Sequence, residues 1–246
     1  MKAGGITDAG SLRCAEDVRA QGFCFVHGEA MRSALHAMGR LGDWAEFAGS
    51  WDSLAPDTYL EKTGRFRRRR HAVFSVEADG QIIREPHQPH HQSVAYNPLQ
   101  GDLQRWFEPV SEAIASGECM QTVLRYAVGF FGPLAPEVGR WRIEVHQFRI
   151  EARADAAGEP TPEGVHRDGV DYVLVLMVDR RNIASGTTTI HSADGTELGS
   201  FTLAQALDAA LVDDARVFHG VTPVTALDPT QPSHRDVLVV TLKRAD

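Results

Sequence analysis

The second half of this chain is cut into short alternating runs, and few folds accept that pattern. Residues 141–152 read WRIEVHQFRIEA, with apolar and polar side chains trading places at nearly every step. TTTIH, TELGSFTL, VFHGVTPV and RDVLVVTL repeat the pattern in shorter form, and further strand candidates are 209–212, 217–224 and 237–242. A period of two sends successive side chains to opposite faces, so each run reads as a strand with one face for a core. Ser192-Ala193-Asp194-Gly195 is hairpin chemistry between two runs. Ala78-Asp79-Gly80 does the same between a strand expected at 65–77 and QIIRE. Nothing alternates in βαβ fashion. The expected class is therefore mainly β with flanking helices (α+β), its strands forming a sandwich or jelly roll.

Helical periodicity is confined to the first 132 residues. A short helix is expected at 11–20 and a short strand at GFCFVHG. Met31, Leu35, Met38, Leu41 and Phe47 recur at roughly helical spacing, which predicts one amphipathic helix over 30–47. A second helical region spans 102–131, broken near Ser116-Gly117 and stopped by Gly132-Pro133. Residues 152–162 (ARADAAGEPTP) read as a surface loop. With 246 residues, 43% hydrophobic and 24% charged, one domain over 1–246 is the economical organisation, with helices at about 11–48 and 101–132 packed outside the β core.

Charge and composition exclude several classes. A net charge of −8 lacks the basic footprint of a nucleic-acid binder. No run approaches the roughly 20 apolar residues of a membrane span. The first residues, MKAGGITDAGSLRCAEDV, do not read as a signal peptide. Cys14, Cys24 and Cys119 are odd in number and form no CxxC, which predicts reduced thiols and a cytoplasmic location.

The chemistry concentrates at GVHRDGVDYVLVLMV, residues 164–178, an apolar strand with a polar opening. His166 and Asp168 are two residues apart, so on extended backbone both project from one face while Arg167 points away. Such a pair supplies two ligands of a facial triad. The best third donor is His219, 51 residues after Asp168 at the start of another strand. Two His and one carboxylate leave open positions on an octahedral metal, the arrangement of non-haem Fe(II) oxygenases. Arg235 follows His219 by 16 residues and opens the last strand. A buried Arg there needs an anion, and its planar fork suits a carboxylate.

This set, His166-x-Asp168, His219 and Arg235, resembles the Fe(II)/2-oxoglutarate-dependent dioxygenases. The wider text, PTPEGVHRDGVDYVLVLMVDRRNIASGTTTIH with VFHGVTPV, HRDVLVVTLKR, GRFRRRRHAVF and the region from Asn97-Pro98 to Trp106-Phe107-Glu108-Pro109, is similar to the bacterial group of L-isoleucine 4-hydroxylases and related free amino-acid hydroxylases. The resemblance implies a double-stranded β-helix (jelly roll) and Fe(II) on His166, Asp168 and His219. It implies 2-oxoglutarate as cosubstrate with its distal carboxylate on Arg235, and O2 as oxidant. It further implies hydroxylation of a small L-amino acid, aliphatic such as isoleucine or leucine, or polar such as citrulline or arginine, with release of succinate and CO2. One departure is Ala184-Ser185-Gly186, where a tighter Gly-Gly turn is expected.

Further pocket candidates follow from alternation. Arg68 and Arg70 would share one face and Arg67 and Arg69 the other; Arg68 and Arg70 are nominated for a substrate carboxylate. Gln147 and Arg149 share a face with Ile143 and Val145 and so could reach the pocket, while Asp171 could receive a substrate ammonium. His87, His90 and His91 lie in the loop-like EPHQPHHQ and are expected to be exposed or part of a lid. His146 and His191 read as hydrogen-bonded core or pocket residues. Desaturation, cyclisation or sulfoxidation would use the same cofactors, and a cupin-like metal-binding protein without turnover is the different-class alternative. The partner is a small molecule, and a homodimer is compatible with the sequence.

Overall fold

The computed structural model describes residues 8–61, 66–77, 80–93 and 101–245. The turn expected at Ala78-Asp79 and the Asn97-Pro98 dipeptide lie outside them, as does the start of the chain before Asp8. The strands are Phe23–Val26 (β1), Ala55–Pro56 (β2), Arg67–Val76 (β3), Ile82–Arg84 (β4), Trp141–Glu151 (β5), Tyr172–Arg181 (β6), Ile183–Ser185 (β7), Thr187–His191 (β8), Glu197–Thr202 (β9), Ala209–Asp213 (β10), Phe218–Val221 (β11), Val224–Ala226 (β12) and His234–Arg244 (β13). The helices are Ala9–Gln21 (α1), Gly28–Met38 (α2), Trp44–Gly49 (α3), Thr58–Glu61 (α4), Glu112–Ala115 (α5) and Glu118–Phe131 (α6).

All described strand pairs are antiparallel. Eight strands form one sheet, ordered β1-β10-β6-β13-β5-β3-β2 with β4 on β3. Two smaller sheets, β11-β8-β9 and β12-β7, accompany it. The large sheet is buried on both sides, and alternation divides its side chains between two environments. On one side Phe74, Ile143, Val145, Leu174, Leu176, Leu238, Val240 and Leu242 pack with Met31, Leu35, Phe47, Leu124 and Phe131 of the helices. On the other, Val173, Met177, Ala210, Val212 and Val237 cluster with Ile190 of β8 and, at the margin, Phe201 of β9. At about 25 cal/mol per Å² of apolar surface removed from water, both layers contribute substantially to holding β6 and β13 rigid.

Three expectations are corrected. The helix over 30–47 is two helices, because Gly39 takes an extended φ of 169° that ends α2 and the chain restarts at Trp44. The region 102–131 is helical only from Glu112; before it the chain forms bridges, His90 with Arg105 and His71 with Pro109. The three thiols are not all reduced: Cys14 of α1 and Cys24 of β1 form a disulfide with Cα atoms 5.5 Å apart, leaving Cys119 free and buried. Neighbouring elements brought that pair together, which spacing alone did not disclose. The Ser192–Gly195 hairpin forms as expected, Gly195 taking φ +87° and donating to Ser192. At the departure from the Gly-Gly pattern, Ser185 and Gly186 both adopt positive φ, +64° and +77°, so the left-handed step between β7 and β8 is made with serine in the first position. No described helix is long and apolar enough to cross a membrane.

Candidate active site

Between the large sheet and the smaller ones lies a cavity of about 620 Å³. His166, Asp168, His219 and Arg235 all line it. The floor is apolar, built from Val173 and Val175 of β6, Ala210 and Val212 of β10 and Val237 and Val239 of β13.

His166 and His219 sit opposite one another in a two-way bridge, each backbone N–H donating to the other's carbonyl at 2.9 and 2.8 Å. That bridge brings the rings to 4.6 Å between centroids. Asp168 completes the group: its Oδ1 is 3.6 Å from His166 Nε2 and its Oδ2 is 3.7 Å from His219 Nε2. One donor atom from each residue falls within 4.8 Å of the others, a spacing that one metal ion can bridge. The far ring atoms are directed elsewhere, His166 Nδ1 donating to Gly164 O at 3.0 Å and His219 Nδ1 facing Asp214 at 3.7 Å. Both Nε2 atoms therefore face the site, His166 Nε2 lying also 3.3 Å from Glu163 Oε1.

Electrostatics agree with a cation-seeking site. Burial resists charge on Asp168, but the two imidazoles hold its carboxyl well below the usual range. Burial also opposes charge on His166, yet the adjacent Asp168 raises its pKa to about 9. His219 falls to about 4 through burial and the His166 charge. One proton is thus held between the Asp168 carboxylate and the His166 ring, and a divalent cation would replace it. Gln92 Nε2 also donates to Asp168 Oδ1 at 3.3 Å, and Arg105 donates to Gln92 Oε1 at 2.9 Å. Arg167 points away as expected, donating to Ala215 O and stacking over Phe218.

Arg235 is 3% exposed, and its Nε has no hydrogen-bond partner among the described residues. Burial and the neighbouring Arg180 lower its pKa to about 10, and no acid is paired with it among the described residues. Gly186 faces the same spot: a Cβ there would meet Val224 at 2.8 Å and Arg180 Nη1 at 3.1 Å. An unbalanced guanidinium on a cavity wall is suited to hold a carboxylate.

The substrate-side expectations require correction. Arg67 and Arg69, not Arg68 and Arg70, line the cavity. Arg68 turns to Glu151 and Leu54 O, and Arg70 to Ser53 O. Gln147 does share a face with Ile143 and Val145, but that face lies under the helices, where Gln147 donates to Ser50 Oγ at 2.7 Å. Arg149 on the same side is held by Asp236 and Asp52. Asp171 is engaged by Arg244, through both its backbone N–H and its Nε. His90 is 9% exposed and lines the cavity with His91, whereas His87 packs against Trp106.

The wall facing the triad was missed. Arg69 is buried between Phe107 and Phe148, its Cζ 3.6 and 4.6 Å from the ring centroids. Arg67 and Arg69 share one carboxylate, Asp57, at 2.7 and 3.7 Å, and Arg105 adds to the same field. Glu144 lies beside them, accepting from His71 Nε2 at 3.1 Å and His90 Nδ1 at 2.6 Å, with Arg142 on its other oxygen. Burial would raise its pKa, but these donors hold it far below the carboxylate range. The polar face of β5, Arg142-x-Glu144-x-His146, was the available signal. It shares parity with Ile150, the residue paired with Arg235.

His71, His90, Glu144 and His146 also bring donor atoms within 4.8 Å. A metal there is disfavoured, because Arg69 Nη2 donates to His146 Nδ1 at 2.8 Å and so leaves the proton on Nε2, the atom a metal would need. A third group, Asp179, His234 and Asp236, has Asp236 occupied by Arg149 through both oxygens.

The comparisons with known proteins agree with this geometry. A family model described as 2OG-Fe dioxygenase matches residues 48–241. The chain is 27% identical over 233 residues to a 3(1)-hydroxy-L-isoleucine 4-dioxygenase from Pantoea ananatis, covering 91% of this chain and 92% of that one. It is 24% identical to an L-isoleucine-4-hydroxylase of Bacillus thuringiensis, covering 77% and 78%. Among solved structures, a bsmA homologue from Methylobium petroleophilum PM1 superposes with a TM-score of 0.87 at 37% identity, covering 98% of this chain and 96% of that one. Its sequence matching along 194 of 246 residues, this chain belongs to the 2OG-Fe dioxygenase family.

Proposed function

We propose that the protein hydroxylates a free L-amino acid with an aliphatic side chain, in a jelly-roll core that holds Fe(II) on His166, Asp168 and His219. Fe(II), 2-oxoglutarate and O2 are the cofactor and cosubstrates of the family. When bound they supply the oxidising power, O2 being consumed as the keto acid loses CO2 to leave succinate and a substrate C–H becomes C–OH. The protein's own work is positioning.

The observation that carries the reading is one cavity with two separate buried cation sites flanking the triad. Arg235 suits the distal carboxylate of 2-oxoglutarate. Arg69, backed by Arg67 and Arg105, suits the carboxylate of the amino acid. The valine-lined floor between them favours an aliphatic side chain. The named activities of the two curated relatives, both on isoleucine or its hydroxylated form, support the same class. Phe148, Ile150 and the valines keep the reacting region dry, which strengthens each ionic contact there.

The test is anaerobic absorption spectroscopy with Fe(II) and 2-oxoglutarate. A weak visible charge-transfer band is expected in the wild type and absent in His166→Ala and Asp168→Ala. No band in the wild type would overturn the reading.

A further inference from the structure

Asp214 touches neither the cavity nor any solvent, yet it contacts both chain segments that carry the triad. It is 1% exposed, directly after β10. Its Oδ1 accepts from the backbone N–H of Asp168 at 2.9 Å, and its Oδ2 accepts from Gly169 at 2.9 Å and Val170 at 3.2 Å. Gly169 has φ +79°, the left-handed step that lets three successive amides converge on one carboxylate. The same Oδ1 faces His219 Nδ1 at 3.7 Å, and that buried nitrogen has no hydrogen-bond partner among the described residues.

We infer that Asp214 is the positioning residue of the metal site, fixing the Asp168 turn and the His219 ring relative to each other before any metal arrives. A ring that ligates through Nε2 carries its proton on Nδ1, and Asp214 is the acceptor facing that proton. Carboxylates in this position orient the imidazole and raise its basicity, and their loss weakens metal binding roughly 10- to 100-fold. Asparagine cannot replace it, since its amide nitrogen would turn N–H toward the N–H of Gly169 and Val170. The inference rests on the reading of His166, Asp168 and His219 as the metal site.

Mn(II) binding to the full chain, followed by electron paramagnetic resonance without 2-oxoglutarate or amino acid, separates the two claims. His166→Ala should abolish binding; if it does not, the metal-site reading fails. Asp214→Asn should weaken binding 10- to 100-fold, while its metal-free form still melts cooperatively. Should that variant not fold, Asp214→Ser, smaller and still an acceptor, serves the same comparison. In the metal-free wild type, the amides of Asp168, Gly169 and Val170 should resist hydrogen exchange. The inference is overturned if a folded Asp214 variant binds Mn(II) within twofold of wild type while His166→Ala does not, or if those three amides exchange as fast as an open loop.

Discussion

Arg69 Nη2 donates to His146 Nδ1 across 2.8 Å, both residues buried, and that one bond decides what the cavity wall can be. A guanidinium cannot accept, so the His146 proton sits on Nε2, facing Glu144 at 3.8 Å. Glu144 is then a carboxylate caged by imidazole N–H groups, which leaves His166, Asp168 and His219 as the expected metal centre among the described residues. Metal titration should saturate at one equivalent per chain. His146→Gln should keep that equivalent and His219→Ala lose it; two equivalents in the wild type would show that the Arg69 contact yields to a second ion.

The guanidinium wall makes a residue-by-residue prediction along one strand. Arg69→Lys removes the planar fork and should raise KM for the amino acid tenfold or more, with the 2-oxoglutarate requirement unchanged. Arg68→Ala and Arg70→Ala change neither by more than about twofold, because their contacts are half-exposed pairs or backbone carbonyls outside the cavity. Steady-state kinetics on the three variants decide the matter.

Arg235 carries the complementary prediction. Arg235→Gln deletes a charge-assisted contact worth about 1.5–3 kcal/mol, a roughly 10- to 150-fold rise in the 2-oxoglutarate needed for half-maximal rate. The amino-acid KM should stay where it is. A shift in the amino-acid KM alone would assign Arg235 to the other ligand.

Acid should destabilise the metal-free protein earlier than carboxylate titration alone would. Burial pushes His90 down from 6.5 to about 4, and His219 likewise. Between those values the unfolded chain binds protons that the folded chain refuses, so the contribution of these two residues is complete above pH 6.5 and falls as pH drops toward 4. For His90 alone the loss is on the order of 3 kcal/mol. Glu144, depressed in the fold, adds a further loss below about 4.5, its ordinary value. Urea unfolding at pH 7 and pH 4.5 should give a smaller difference for His90→Gln than for wild type.

The sequence made the metal triad and Arg235 legible because each stands at a polar opening of an otherwise apolar run, where burial has no other use for it. Alternation also divided Arg67–Arg70 and β5 into two faces. It could not say which face meets the cavity, since both sides of a sheet covered on both sides are buried and both carry apolar residues. The face of Ile143 and Val145, expected to reach the pocket with Gln147, lies under α6 and its neighbours instead. Pairing β5 with β13 in register, Ile150 against Arg235, assigns the faces, and register is a property of two strands at once. The segment holding His90 reads as exposed or part of a lid because its neighbours are polar and proline-rich; a bridge to Arg105 brings it to the cavity.

The most direct test is coupled turnover. The Fe(II)-loaded protein is incubated with 2-oxoglutarate and O2 against the twenty amino acids, citrulline and ornithine, with succinate and substrate mass followed together. One succinate per substrate gaining 16 Da is predicted, with aliphatic L-amino acids ahead of arginine and citrulline. Succinate formation that no amino acid stimulates, with no mass change in any, would contradict the account.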